Sequence, residues 1–409
     1  MDYINRNMED IFLNLNNQYP VILVTGPRQV GKTTMLKKLM IAEKGNRTYV
    51  SLDDLNERNL AKTDPAMFLQ LHKPPIFIDE VQYAPELFSY IKIHIDNSNK
   101  AGDFWLTGSQ LFKLMDGVQE SLAGRVALLH LPPLSQQEIY GSFRGEFVVD
   151  LDKLIERQDM VASVSTPETY RRLFLGGMPA LISGKYSDRG IFYSSYIGTY
   201  LERDVKNLSG TIDSLKFLNF ITAVAARTSQ MINYKGIADD CDIDQGTAKN
   251  WLRILETLGI IFYLHPYSNN VLKRTVKTPK LYFYDTGLVC YLTKWSSFET
   301  AMTGAMNGAL LENYAVSEIL KSYRNIGKEA FLYYYRDKDT KEIDLIIEGD
   351  GKLHPIEIKK TTMPDKRLLN VFKVIEKSPL ERGTGAILCM AEKLGAFDKY
   401  NLIVPIGLI

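Results

Sequence analysis

Lys32 and Thr33 close an eight-residue run, Gly26-Pro27-Arg28-Gln29-Val30-Gly31-Lys32-Thr33, that fits the pattern GxxxxGK[ST]. Residue types at this spacing bind phosphate. Gly26 and Gly31 let the main chain curl so that its N–H groups point inward. The Lys32 ammonium reaches the β- and γ-phosphates, the Thr33 hydroxyl ligates Mg²⁺, and Thr34 opens the helix behind. Asp79 and Glu80 form a second group, two acids at the end of the apolar run Pro75-Ile76-Phe77-Ile78. The first can hold the shell of the metal, and the second can orient and polarise a water. Ser109, with Thr107 second, is the candidate sensor of the γ-phosphate, and Ser109 serves equally well as a helix N-cap. Arg125 precedes the apolar run 126–131, where an arginine can stabilise a transferring phosphoryl group within its own subunit or a neighbour's. A structural salt bridge is the competing role for Arg125.

These side chains need a particular frame. Val21-Ile22-Leu23-Val24 reads as a buried strand before the loop, and Thr34 to Ala42 as the helix after it. Further strands at Thr48–Leu52, Pro75–Ile78, Asp103–Leu106 and Val126–Leu131 alternate with helical stretches. That order predicts an α/β fold with a mostly parallel sheet. Asn99-Lys100-Ala101-Gly102-Asp103 resembles a guanine-reading motif, but its aspartate falls one residue late and precedes a strand. GTP is therefore discounted, and the preference for adenine is inferred from the class of core, since a phosphate loop cannot itself read the base.

After Pro132-Pro133 the pattern becomes helical, with helices expected at 136–140, 167–175 and 191–205. Tyr196, Tyr200 and Arg203 share one face of the last, a stripe better read as packing than chemistry. Helices at 215–227, 234–240 and 245–258, then strands at 259–264 and 280–284, give the order of a winged helix-turn-helix. Thr247, Lys249, Asn250 and Arg253 would face a major groove, and Lys273, Arg274 and Lys277 would meet phosphates from the wing. Asp239, Asp240, Asp242 and Asp244 weigh against DNA, since such modules also bind proteins.

The last hundred residues carry Glu312 on a helix, Asp344 on one strand and Glu357-Ile358-Lys359 on the next. This is the element order of a PD-(D/E)xK nuclease. Its carboxylates bind Mg²⁺ through oxygen, and Lys359, two residues after Glu357, projects to the same face and helps position a water. Polar–apolar alternation in a half-exposed hairpin gives the same pattern with no chemistry.

The chain has 409 residues, 45% hydrophobic and 24% charged, with a net charge of +1. That length calls for two to four domains. The charge excludes a global basic field, so any nucleic-acid surface is local. Three cysteines far apart suggest neither disulfides nor zinc. No signal peptide or membrane-length apolar run is evident, and the expectation is a cytoplasmic protein.

The motifs GPRQVGKTT (Gly26 to Thr34), FIDEVQ (Phe77 to Gln82), LTGSQ (Leu106 to Gln110) and SLAGRV (Ser121 to Val126) recur together in one family, as do YLERDV (Tyr200 to Val205), YDTGL (Tyr284 to Leu288), EIDLII and PIEIKK. Over nearly its whole length the chain resembles a prokaryotic family of AAA-type P-loop ATPases with a C-terminal winged helix and PD-(D/E)xK-like domain. The resemblance implies Mg²⁺-dependent ATP binding and hydrolysis, with DNA as the expected partner and a homo-oligomer left open. The expected domains are an AAA-type core at 1–135, a helical lid at 136–212, a winged helix at 213–290 and a nuclease-like domain at 300–409.

Overall fold

Every residue of 21–25 is buried, because strand β1 (Val21–Thr25) lies inside a sheet covered on both faces. Val21 and Leu23 join Phe88 and Ile91 in one apolar layer, while Ile22 and Val24 meet Phe12, Met35 and Leu36 in the other. The split follows from the two-residue period of a strand. A computed structural model describes residues 3–43, 45, 47–98, 100–108, 122–141, 143–210, 213–268, 278–339 and 341–409. The other strands of this sheet are β2 (Thr48–Ser51), β3 (Ile76–Asp79), β4 (Phe104–Thr107) and β5 (Val126–His130). Their order is β2-β3-β4-β1-β5, all parallel. Because β4 lies between β1 and β3, its carboxyl end stands between the phosphate loop and the paired acids.

Three helices absent from the sequence reading cover this sheet: Met8–Asn16, Leu55–Thr63 and Leu87–Ser98. The second starts where Asp54 accepts hydrogen bonds from the Asn56 and Glu57 amides, an ordinary N-cap. The helix expected at 191–205 is not uniform. Arg189–Tyr196 is α-helical, Ile197–Leu201 is a turn of π-helix, and Glu202–Ser209 resumes the α form. One extra residue per turn shifts which side chains of the following helix face inward.

Helices Ser214–Ala225, Tyr234–Cys241 and Gln245–Thr257 precede an antiparallel hairpin of β6 (Ile261–Pro266) and β7 (Lys280–Phe283). Residues 269–277 between those strands, including Lys273, Arg274 and Lys277, lie outside the described residues. Helix Asn307–Arg324 then leads to β8 (Leu332–Arg336), β9 (Glu342–Gly349), β10 (Lys352–Lys359), β11 (Glu381–Arg382), β12 (Gly385–Cys389), β13 (Gly395–Asp398) and β14 (Asn401–Pro405). The hairpin does not end in a linker. β6 runs two residues past Leu264, and His265 and Pro266 pair in parallel with Tyr333 and Tyr334 of β8. One sheet, β13-β14-β12-β10-β9-β8-β6-β7 with β11 beside β10, therefore crosses the boundary expected near residue 300. Residues 366–377 form a 3₁₀ rather than an α-helix, capped by Asp365.

The two sheets are bolted together by buried charge. Glu318 accepts from the Gln136 amide and from Lys321, at 2.8 Å each, and Lys321 also donates to the Leu134 carbonyl at 3.3 Å. Among the described residues no helix is long and apolar enough to cross a membrane.

Candidate functional site

The loop after β1 needs glycine at its first position. Gly26 has φ +137°, and a Cβ there would stand 2.2 Å from the Leu131 carbonyl oxygen. Gly31, also left-handed, precedes helix Lys32–Ala42, and among the described residues no side chain caps that helix. Its first N–H groups are thus left for an anion. The loop opens on a cavity of about 570 Å³, whose lining includes Arg28, Lys32, Thr33 and Glu80 from the core and Tyr186 and Tyr200 from the helical segment.

Lys32 is buried, and its Nζ donates to the carbonyls of Gly26 and Pro27 at 2.9 and 2.8 Å. Burial pulls its pKa down to about 8, against the pull of the Glu80 carboxylate upward. An ammonium placed so asks for a multivalent anion to offset its lost hydration.

Thr33 donates to Asp79, its Oγ1 lying 3.1 and 3.0 Å from the two carboxylate oxygens. Thr107 donates to the same carboxylate, as does Tyr49 at 3.2 Å. Glu80 follows with φ +58°, uncommon for a residue with a Cβ. Its amide donates to Thr107 Oγ1 at 3.4 Å, and the Gln82 amide group donates to its carboxylate. Thr107, the second sensor candidate, therefore bridges both acids; Ser109 lies outside the described residues. The all-oxygen set of Thr33 and Asp79 suits a hard divalent cation such as Mg²⁺.

Arg125 is not brought to this cavity within its own chain. Its guanidinium pairs with Asp96, 2.7 Å away, on a half-exposed surface. The aromatic stripe divides: Tyr196 packs in the core, whereas Tyr200 lines the cavity under the Arg28 guanidinium, 5.6 Å from ring centroid to Cζ.

Far along the chain, Asp344, Glu357 and Lys359 meet, and Glu312 lies near enough to feel the Asp344 charge. Lys359 Nζ lies 2.9 Å from Asp344 and 2.6 Å from Glu357. Asp344 also accepts from the Ile358 amide at 2.9 Å. Two residues not singled out in the sequence complete the network. Lys280 on β7 pairs with Glu312 at 2.9 Å and Glu342 at 2.6 Å, and the Tyr282 hydroxyl donates to Glu312 at 2.7 Å. Burial, then the Asp344 charge, raises the pKa of both Glu312 and Glu357. Glu357 Oε1 is buried without a hydrogen-bond partner among the described residues. Even so, among the described residues no three His, Cys, Asp or Glu side chains are grouped to hold a metal ion. The two lysines stand between the acids instead.

Residues 18–140 match the family model described as an AAA domain. That stretch is similar to AAA domains and carries the phosphate loop. Residues 166–299 and 307–409 match two different models, each described as a domain of unknown function. An uncharacterized protein of Mycobacterium tuberculosis is 29% identical over 347 residues, 84% of this chain and 71% of that one. One from Methanocaldococcus jannaschii is 25% identical over 332 residues, 73% of this chain and 67% of the relative. Among solved structures, a Walker-type ATPase of Pyrococcus abyssi aligns with 71% of this chain and 96% of its own, at 16% identity and a TM-score of 0.45. The RuvB Holliday junction branch migration motor of Thermotoga maritima aligns with 63% and 89%, at 16% identity and a TM-score of 0.30. Likenesses at those scores are too distant to bear on the assignment, which rests on the AAA domain and its phosphate loop.

Proposed function

We propose that this chain is a Mg²⁺-dependent ATP hydrolase whose nucleotide state acts on a C-terminal nucleic-acid module. The observation that carries the ATPase part is the buried Lys32 ammonium, held at the mouth of an uncapped helix beside the Thr33–Asp79 contact. Gly26 to Thr34 cradle the phosphates with main-chain N–H groups, and Lys32 turns from its carbonyls to the β- and γ-phosphates. Thr33 and Asp79 would hold a divalent metal, which would offset negative charge on the triphosphate. Glu80 orients a water against the γ-phosphorus and takes its proton as the bond to the bridging oxygen breaks, leaving ADP and phosphate. Lys32→Ala is expected to weaken ATP binding at least about tenfold, a loss of about 1.4 kcal/mol. Calorimetry at millimolar Mg²⁺ measures it, and unchanged affinity in a folded variant refutes the assignment.

The nucleic-acid part is supported by three helices followed by the β6–β7 hairpin, with Lys249, Asn250 and Arg253 exposed on the third helix. Nearby acids are engaged: Asp240 with Arg227, Asp242 with Lys216, and Asp244 as the N-cap. The types of Glu312, Asp344, Glu357 and Lys359, and the contacts of Lys359 with Asp344 and Glu357, support a nuclease-like site in which Mg²⁺ would have to displace the lysines from the acids. A second reading, a nucleotide-dependent switch that binds a protein and cuts nothing, is favoured by Lys280 and Lys359 neutralising those acids. Supercoiled plasmid incubated with Mg²⁺ separates them. The nuclease reading predicts nicking by the natural protein and none by Asp344→Ala, whereas intact plasmid with both proteins leaves the switch.

A further inference from the structure

The motif Tyr200 to Val205 has no role in the reading above, yet its aspartate reaches the phosphate loop across the chain. Arg28 Nε donates to Asp204 Oδ2 at 2.6 Å and Nη2 to Oδ1 at 2.9 Å. Asp204 is 1% exposed and its partner 13%. A two-point guanidinium–carboxylate contact fixes the plane of the arginine, which a lysine cannot copy. Arg28 lines the same cavity as Lys32, Thr33 and Glu80. It feels the negative charge of Glu80 and in turn lowers the proton affinity of Lys32. The Tyr200 ring lies beneath it. Asp204 engages Nε and Nη2, and the Tyr83 hydroxyl is a further hydrogen-bonding neighbour of the guanidinium.

Two cations in one cavity repel each other unless an anion lies between them. Lys32 and Arg28 line one cavity, and both feel the Glu80 charge, which ties the two cations to the acid proposed to orient the water. The π-helical turn Ile197–Leu201 directly precedes the helix bearing Asp204.

We propose that Arg28 is the arginine that stabilises the transferring phosphoryl group from within the same chain, and that Asp204 is the positioning residue that aims it. This rests on the ATPase reading. As water attacks and the bond to the bridging oxygen breaks, charge gathers on the γ-phosphoryl oxygens, and the guanidinium offsets it there. Nucleoside triphosphate is thereby distinguished from diphosphate by Arg28, while Lys32 and the loop amides hold both.

The test compares the natural protein with Arg28→Lys, Asp204→Asn and Asp204→Glu. Affinities for a non-hydrolysable ATP analogue and for ADP are measured by calorimetry, and kcat and KM by phosphate release. Arg28→Lys and Asp204→Asn are expected to lower the triphosphate-to-diphosphate affinity ratio about tenfold and kcat by about 10³-fold, the lower end of arginine-finger effects. ADP affinity stays within about threefold, and Asp204→Glu recovers part of kcat. If both nucleotides weaken together, or kcat holds, Asp204 merely supports the fold and the proposal fails. Should Asp204→Asn not fold, Arg28→Lys and Asp204→Glu still decide. If the natural protein binds neither nucleotide, the ATPase reading itself is what fails.

Discussion

Glu80→Gln yields a protein that still binds ATP but turns it over about 10²–10⁴-fold more slowly, the range a positioned general base contributes. The substitution keeps the shape of the side chain and removes only its capacity to take a proton. Glu80 is the better acid to change because its neighbour Asp79 is held by three hydroxyls, from Thr33, Thr107 and Tyr49. Replacing Asp79 would disturb that hydroxyl network and the end of β4 together. Glu80 instead sits in a left-handed conformation, steadied through its amide by Thr107 and through its carboxylate by Gln82. Backbone strain of this kind persists where neighbours over-determine the position, and it aims the carboxylate into the cavity rather than along the strand. Single-turnover hydrolysis beside analogue binding reads the split. Turnover within threefold of the natural protein would show that another group orients the water.

How far the molecule could be read from its residues depended on the distance over which each signal acts. The phosphate loop and paired acids are local patterns, in which one strand end and one helix start fix every atom that matters. The parallel sheet was legible because β1, β3, β4 and β5 are short apolar runs between turn residues. Helix Leu55–Thr63 escaped because it is mostly polar, and its one clear mark is the Asp54 cap. Residues 366–377 have an apolar face that an α-helix also shows, so spacing did not separate α from 3₁₀. The pairing of β6 with β8 joins residues nearly seventy apart in sequence, and no local period encodes it. Lys280 reads as the plain start of a strand until the sheet brings it to Glu312 and Glu342. Arg28 and Asp204, 176 residues apart, are likewise invisible as a pair. A charged residue inside an otherwise well-formed loop, and another inside a helix of mixed pattern, were the only hints that each needed a partner.

Arg6→Ala is expected to destabilise the AAA domain by about 3–5 kcal/mol, the range for breaking one side of a buried ion pair. Arg6 is 3% exposed, and each of its nitrogens has work. Nε meets Glu138 Oε1 at 2.9 Å, Nη1 donates to the Val30 carbonyl at 2.7 Å, and Nη2 to the Pro132 carbonyl at 2.8 Å. One side chain near the start of the chain thus holds the phosphate loop against the turn that leaves β5. Glu138 in turn accepts from the Asn7 and Ser135 amides at 2.9 and 2.8 Å, closing the capping box of the next helix. Removing Arg6 strands a buried carboxylate and two loop carbonyls in a space too small to hydrate freely. At about 2–4 °C per kcal/mol for a domain of this size, the melting temperature of the ATP-protected transition falls by roughly 6–20 °C. That transition is the one to follow, since a chain with two sheets need not unfold in a single step. Arg6→Met combined with Glu138→Leu removes both charges, and it is expected to cost less than the two single changes added together. Strict additivity across that cycle would mean that the pair is not coupled and that the loop is held by its own turn.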